Sequence, residues 1–181
     1  KMIEAQAKGI LLSKNDFFSP SVLREIHKEL STLKFTNLRG MKDDGDPYKR
    51  YFSVTLPGEH FAVAETIKNL KELGLTTYHK NSFYFFSGKD IEADPHNDES
   101  VAKLNCLVYL RGQPLLNSGT GFYDKIGDSY ELNSHIGFRE NRAIIFDSKI
   151  YHTSLQFNKD SSGVRYVMAN FLNYKPEEKI K

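Results

Sequence analysis

The chain has one cysteine, Cys106, and no tryptophan among its 181 residues. One cysteine excludes an internal disulfide and fits a reducing compartment. No run of 18 apolar residues occurs, so no segment reads as a membrane-spanning helix. No block of five like charges occurs, and the net charge is only +2. That balance is too mild to imply a nucleic-acid partner. The first thirty residues carry charges throughout and do not read as a signal peptide. A soluble, cytoplasmic protein is expected.

What is present suits one globular domain over 1–181. Hydrophobic residues make up 39% and charged residues 27%, and 13 Phe and 10 Tyr supply large core side chains. A chain of this length buries roughly 70% of its unfolded surface.

The N-terminal part, about 1–75, reads as helical support. "GILLS" at 9–13 is a short strand. Ser19 and Pro20 form a cap and first-turn pair, followed by Val22, Leu23, Ile26, Leu30 and Leu33 on one helical face. "GMKDDGDP" at 40–47 is a polar loop, and residues 41–52 are a candidate cover for a site. "KRYFSVTL" reads as a strand. "HFAVAETIKNLKELG" reads as a second amphipathic helix that stops at Gly74.

After residue 75 the texture changes to short β-branched and aromatic runs separated by Gly, Asn, Asp and Ser. About eight strands are expected if "DPHND" supplies one. The expected fold is mainly β with N-terminal helices (α+β). It is a double-stranded β-helix, or jelly roll, over about 76–174, with the helices packed on one sheet.

His96, Asp98 and His152 are the candidate metal ligands. Two histidines and one carboxylate hold one face of an octahedral ion and leave positions open, the pattern of non-haem Fe(II) oxygenases. On a strand, His96 and Asp98 point the same way. Taken alone, the pair also fits a polar loop. Arg165 opens an otherwise apolar strand, "VRYVMANFL", where a guanidinium is costly unless paired. A carboxylate suits it. Four other histidines, His27, His60, His79 and His135, have no such company; His27 and His60 lie on or beside the helices and read as surface or capping residues, and His135 falls in a strand or loop. Cys106 reads as a small buried hydrophobe. "GTG" at 119–121 lacks a following Lys and helix, so it reads as a turn or close strand approach rather than a phosphate loop. The loop "RGQPLLN" joins two strands and exposes Leu115 and Leu116.

In order, "HND", "CLVYL", "NSGTGFY", "AIIFDSKIYH" and "SGVRYVMANF" resemble the Fe(II)/2-oxoglutarate-dependent dioxygenase superfamily, most closely its prolyl-hydroxylase-like branch. The resemblance covers roughly 76–174. It implies Fe(II) on His96, Asp98 and His152, and 2-oxoglutarate with its distal carboxylate on Arg165. Tyr109 matches a position whose hydroxyl assists that carboxylate. Phe86 stands where relatives can carry Tyr, and Ser118 replaces a usual Gly. The implied reaction consumes O2 and 2-oxoglutarate, releases succinate and CO2, and hydroxylates an unactivated C–H, with ascorbate as a stimulant. Because Asp98 is present, the resemblance favours hydroxylation over halogenation. The implied substrate is a prolyl or other amino-acid side chain in a protein or peptide.

Alternatives are a small molecule or free amino acid as substrate, and a non-catalytic cupin-like binding module. A nucleic-acid demethylase would carry a second Arg where this chain has Phe171. Metal-assisted hydrolysis would need a base near the ligands, and Glu99 points away if strand parity holds.

Overall fold

The computed structural model describes residues 9–37, 51–75, 80–88, 94–155 and 164–173. The loop expected at 40–47, most of the candidate cover at 41–52, His79 and the last eight residues lie outside these.

Ten strands and two helices are present among the described residues. They are β1 (Leu11–Lys14), α1 (Pro20–Leu30), β2 (Thr36–Asn37), β3 (Tyr51–Leu56), α2 (Phe61–Glu72), β4 (Ser82–Gly88) and β5 (Leu104–Arg111). Then come β6 (Gly119–Ile126), β7 (Ser129–Gly137), β8 (Ala143–Asp147), β9 (Tyr151–Leu155) and β10 (Arg165–Leu172).

Seven strands form one sheet in the order β1-β8-β5-β10-β4-β3-β2. Three form a second sheet, β7-β6-β9. Every pairing is antiparallel. From β5 onward the chain passes back and forth between the sheets, and seven described strands follow residue 75. The eighth, "DPHND", is shorter than expected. It makes one isolated bridge, His96 to His152, at the free edge of β9. Pro95 has no N–H to extend a ladder. Asp98 instead opens a turn, its carbonyl accepting from the amides of Val101 and Ala102.

The N-terminal strands do more than support. β1 extends the large sheet beside β8, and β3 extends it beside β4.

Strand parity divides the interior into two cores. On β5, Leu104, Cys106, Val108 and Leu110 join Ile26, Leu30, Val63 and Leu70 of the helices. Leu107 and Tyr109 face the other way, toward Phe122, Phe138, Ile144 and Phe146 from both sheets. The helices therefore cover one face of the large sheet, and the second core fills the space between the sheets.

The capping signals act as expected at both helices. Ser19 accepts from the Val22 amide with Pro20 at the first position, and His60 caps α2 by accepting from Ala62. The entry to α1 is clipped to the sheet by Asn141. Its amide group exchanges two hydrogen bonds of 2.8 Å with the backbone of Phe18.

Candidate metal centre

Two segments, the stretch from Asp94 to Asp98 and strand β9, bring the candidate ligands together. His96 and His152 share the bridge at the rim of the small sheet: each donates its backbone amide to the other's carbonyl, at 3.0 and 2.8 Å. Asp98 follows two residues after His96, with its backbone amide on the Ser148 carbonyl at 2.9 Å. One ligand atom from each of His96, Asp98 and His152 lies within 4.8 Å of the other two. This is the one such group of three among the described residues.

The imidazoles are oriented from behind. His96 Nδ1 lies 3.2 Å from the Asp94 carbonyl, and His152 Nδ1 lies 3.0 Å from the Ile150 carbonyl. A carbonyl only accepts, so Nδ1 carries the proton and Nε2 keeps its lone pair for an ion. Asp98 Oδ2 is 3.3 Å from His152 Nε2. Neighbouring ligands of an octahedral ion with bonds of about 2.1 Å stand about 3 Å apart, so this spacing fits a transition metal.

The electrostatics favour the ligating forms. Burial, then the neighbouring His152, holds His96 below its usual value, which keeps it neutral. Burial alone would raise Asp98. The proximity of His152, then of His96, and the hydrogen bond from Asn105 outweigh this and leave it lowered, so it is ionised.

Arg165, the first residue of β10, is 4% exposed. It reaches across to the small sheet. Its Nη1 donates to the Gly119 carbonyl at 3.1 Å and to the Leu155 carbonyl at 3.4 Å. Its guanidinium lies 5.5 Å from the centre of the Tyr109 ring. The Tyr109 hydroxyl pairs with Thr120 at 2.7 Å. Gly119 is fixed by backbone: its φ is +133°, and a Cβ there would sit 2.1 Å from the Ile136 carbonyl oxygen.

Other expectations find plain positions. Cys106 is buried on β5, and burial pushes its thiol up to about 12. His27 lies 2.8 Å from the Leu110 carbonyl, and His135 3.0 Å from the Ser118 carbonyl. Leu116 is almost wholly exposed, whereas Leu115 is half-buried. Phe86 packs at 5.5 Å from Tyr84.

Three contacting residues escaped the sequence reading. Asn105 donates to Asp98 Oδ2 at 2.6 Å, Ser148 donates to Asn105 at 3.1 Å, and Thr120 holds the Tyr109 hydroxyl. Asn105 did leave a trace: it is a polar residue in the otherwise apolar run "LNCLVYL".

No protein-family model matches the chain, and no curated protein sequence does. Solved structures do. A prolyl-4-hydroxylase from Pseudomonas putida superposes with a TM-score of 0.63 at 11% identity, over 97% of this chain and 98% of that one. The non-haem α-ketoglutarate-dependent epimerase SnoN of nogalamycin biosynthesis, solved with Fe3+, α-ketoglutarate and nogalamycin RO, gives 0.64 at 10% identity over 97% and 85%. A Trichoplax adhaerens prolyl hydroxylase, solved with a hypoxia-inducible-factor peptide fragment, gives 0.58 at 15% identity over 94% and 87%. The chain has the fold that these oxygenase structures share. In addition, no described helix is long and apolar enough to cross a membrane.

Proposed function

We propose that this chain is an Fe(II)- and 2-oxoglutarate-dependent dioxygenase that hydroxylates an unactivated C–H of a prolyl or other amino-acid side chain in a protein or peptide. The observation that carries this reading is the convergence of His96, Asp98 and His152, with each Nδ1 tied to a carbonyl. The strand order supports a double-stranded β-helix. One sheet runs β8-β5-β10-β4 at its centre, and the other runs β7-β6-β9 and then His96.

In this reading His96 Nε2, Asp98 and His152 Nε2 hold Fe(II) on one face. Fe(II) with 2-oxoglutarate and O2 supplies oxidative decarboxylation to succinate and CO2, coupled to hydroxylation of the substrate. Arg165 binds the distal carboxylate of 2-oxoglutarate. It contacts Leu155, three residues along β9 from His152, or about 10 Å of strand. A five-carbon dicarboxylate suits that interval. Thr120 orients the Tyr109 hydroxyl beside the guanidinium. Burial of the guanidinium strengthens its pull on an anion. The aromatic wall of Phe122 and Phe146, with ring centres 6.4 and 4.7 Å from His152, keeps water from that side of the site.

A small-molecule substrate is the second reading. The likeness to SnoN, solved with nogalamycin RO, supports it as the Trichoplax peptide complex supports the first.

The test is succinate formation from 2-oxoglutarate by anaerobically purified protein given Fe(II), ascorbate and air. Turnover should vanish in His152→Ala. Arg165→Ala should keep turnover but need at least about tenfold more 2-oxoglutarate, as expected when a charged hydrogen-bond partner worth about 1.5–3 kcal/mol is lost. Failure of the wild-type protein to bind both Fe(II) and 2-oxoglutarate would leave a binding module. Once succinate formation is established, peptides, free amino acids and small molecules are screened for hydroxylation.

A further inference from the structure

We infer that Asn105 is a positioning residue for the metal centre: with Ser148 it clamps the Asp98 carboxylate in the orientation that faces His152. The inference rests on the metal-site reading above and adds residues that neither ligate nor touch cosubstrate in it.

Asn105 is 1% exposed and sits on β5 with its side chain turned away from the helices, in the parity of Leu107 and Tyr109. Its Nδ2 donates to Asp98 Oδ2 at 2.6 Å. That same oxygen is the one 3.3 Å from His152 Nε2. A carboxylate oxygen has lone pairs for two partners, so the amide fills one and leaves the other for an ion.

The amide cannot turn over without loss. A carboxylate only accepts, so nitrogen must face Asp98 and oxygen must face away. There it meets Ser148, whose Oγ donates to Asn105 Oδ1 at 3.1 Å. Ser148 is 1% exposed and acts twice, since its carbonyl also accepts the Asp98 amide at 2.9 Å. The main chain and the side chain of Asp98 are thereby tied to one residue, by one direct bond and one relay. Ser148 lies in the turn between β8 and β9, four residues before His152. Its own amide is held by the Lys103 carbonyl at 3.2 Å. The relay therefore sets Asp98 against the strand that carries the other ligand.

This matters because Asp98 has no strand to stiffen it. Regular pairing stops at His96, and a turn begins at Asp98. Side-chain rotamers of a turn aspartate are otherwise free, and fixing them beforehand reduces the entropy lost on metal binding.

The test uses the full chain stripped of metal, with Ni(II) as the probe. Isothermal titration gives the Ni(II) Kd, and thermal unfolding without metal reports on packing. Asn105→Ala should weaken Ni(II) binding about 10- to 100-fold. Ser148→Ala should weaken it less, because the donor to Asp98 remains while its orientation is released. Unchanged Kd values in both variants, whatever the metal-free melting temperature does, would overturn the inference and leave a packing role. Should Asn105→Ala not fold, Ser148→Ala decides alone, since it keeps the amide and removes only a hydroxyl. Wild-type protein that fails to bind Ni(II) would remove the metal reading itself, a result separable from a normal wild type with unaffected variants.

Discussion

Replacing Gly119 with alanine would place a methyl group 2.1 Å from the Ile136 carbonyl oxygen, on a backbone whose φ of +133° suits only glycine. The strand must then shift, and with it the carbonyl that holds Arg165. Gly119→Ala should destabilise the protein by roughly 3 kcal/mol or more, read from the urea midpoint. Any folded fraction should need more 2-oxoglutarate than wild type for the same succinate rate. At this scale the sequence was legible where residue types are rare in their setting. Histidine and carboxylate at short spacing, and arginine in an apolar strand, are unusual enough to stand out. Asn105, Ser148 and Thr120 were not read, because amides and hydroxyls occur everywhere and acquire their role only through long-range hydrogen bonds.

The elements are joined by a few buried polar clips. Asn141 is one: it takes a left-handed φ of 62° and satisfies both backbone groups of Phe18. Asn141→Ala would leave a buried N–H and a buried carbonyl without partners and strain the turn before β8. A loss of about 2–4 kcal/mol in unfolding free energy is expected, measured by chemical denaturation. Asn141→Gly should recover the strain but not the hydrogen bonds, and so fall between. Local signals announced the helices: Ser19, Pro20 and the apolar spacing from Val22 sufficed for α1. They could not announce where β1 and β3 would lodge. Pairing Leu12 with Ile145, or Val54 with Phe85, is decided by partners distant in the chain, and period-2 patterning carries no address. The strand expected at "DPHND" shrank to one bridge for a local reason, the missing N–H of Pro95.

Across the whole molecule, the buried ligand cluster makes stability depend on pH. His96 is lowered from 6.5, so near that pH the unfolded chain binds more protons than the folded one, and stability rises with pH. On acidification the loss begins as pH passes 6.5 and levels off below the lowered folded value. Asp98 acts in the same direction further down: its stabilisation is present above 3.8 and is lost as pH falls through its lowered folded value. Metal-free protein should therefore show a lower urea midpoint at pH 5.5 than at pH 7.5. His96→Phe should flatten that difference. Saturating metal should add about 2.7 kcal/mol at a hundred times Kd at the higher pH, and less where protons compete for His96.

The rim of the small sheet has a further consequence. β7 is a nine-residue edge strand whose outer backbone pairs with no described strand. Such a rim is a template on which a second chain could add and begin a fibril. Here it reads "SYELNSHIG", with Glu131 and Asn133 among its exposed positions, and its partner β6 slips register between Phe122 and Tyr123. A charge is costly to bury between stacked chains, and a twisted ladder offers poor alignment to an incoming strand. Among the described residues, both features oppose the pairing of a second chain with this long edge.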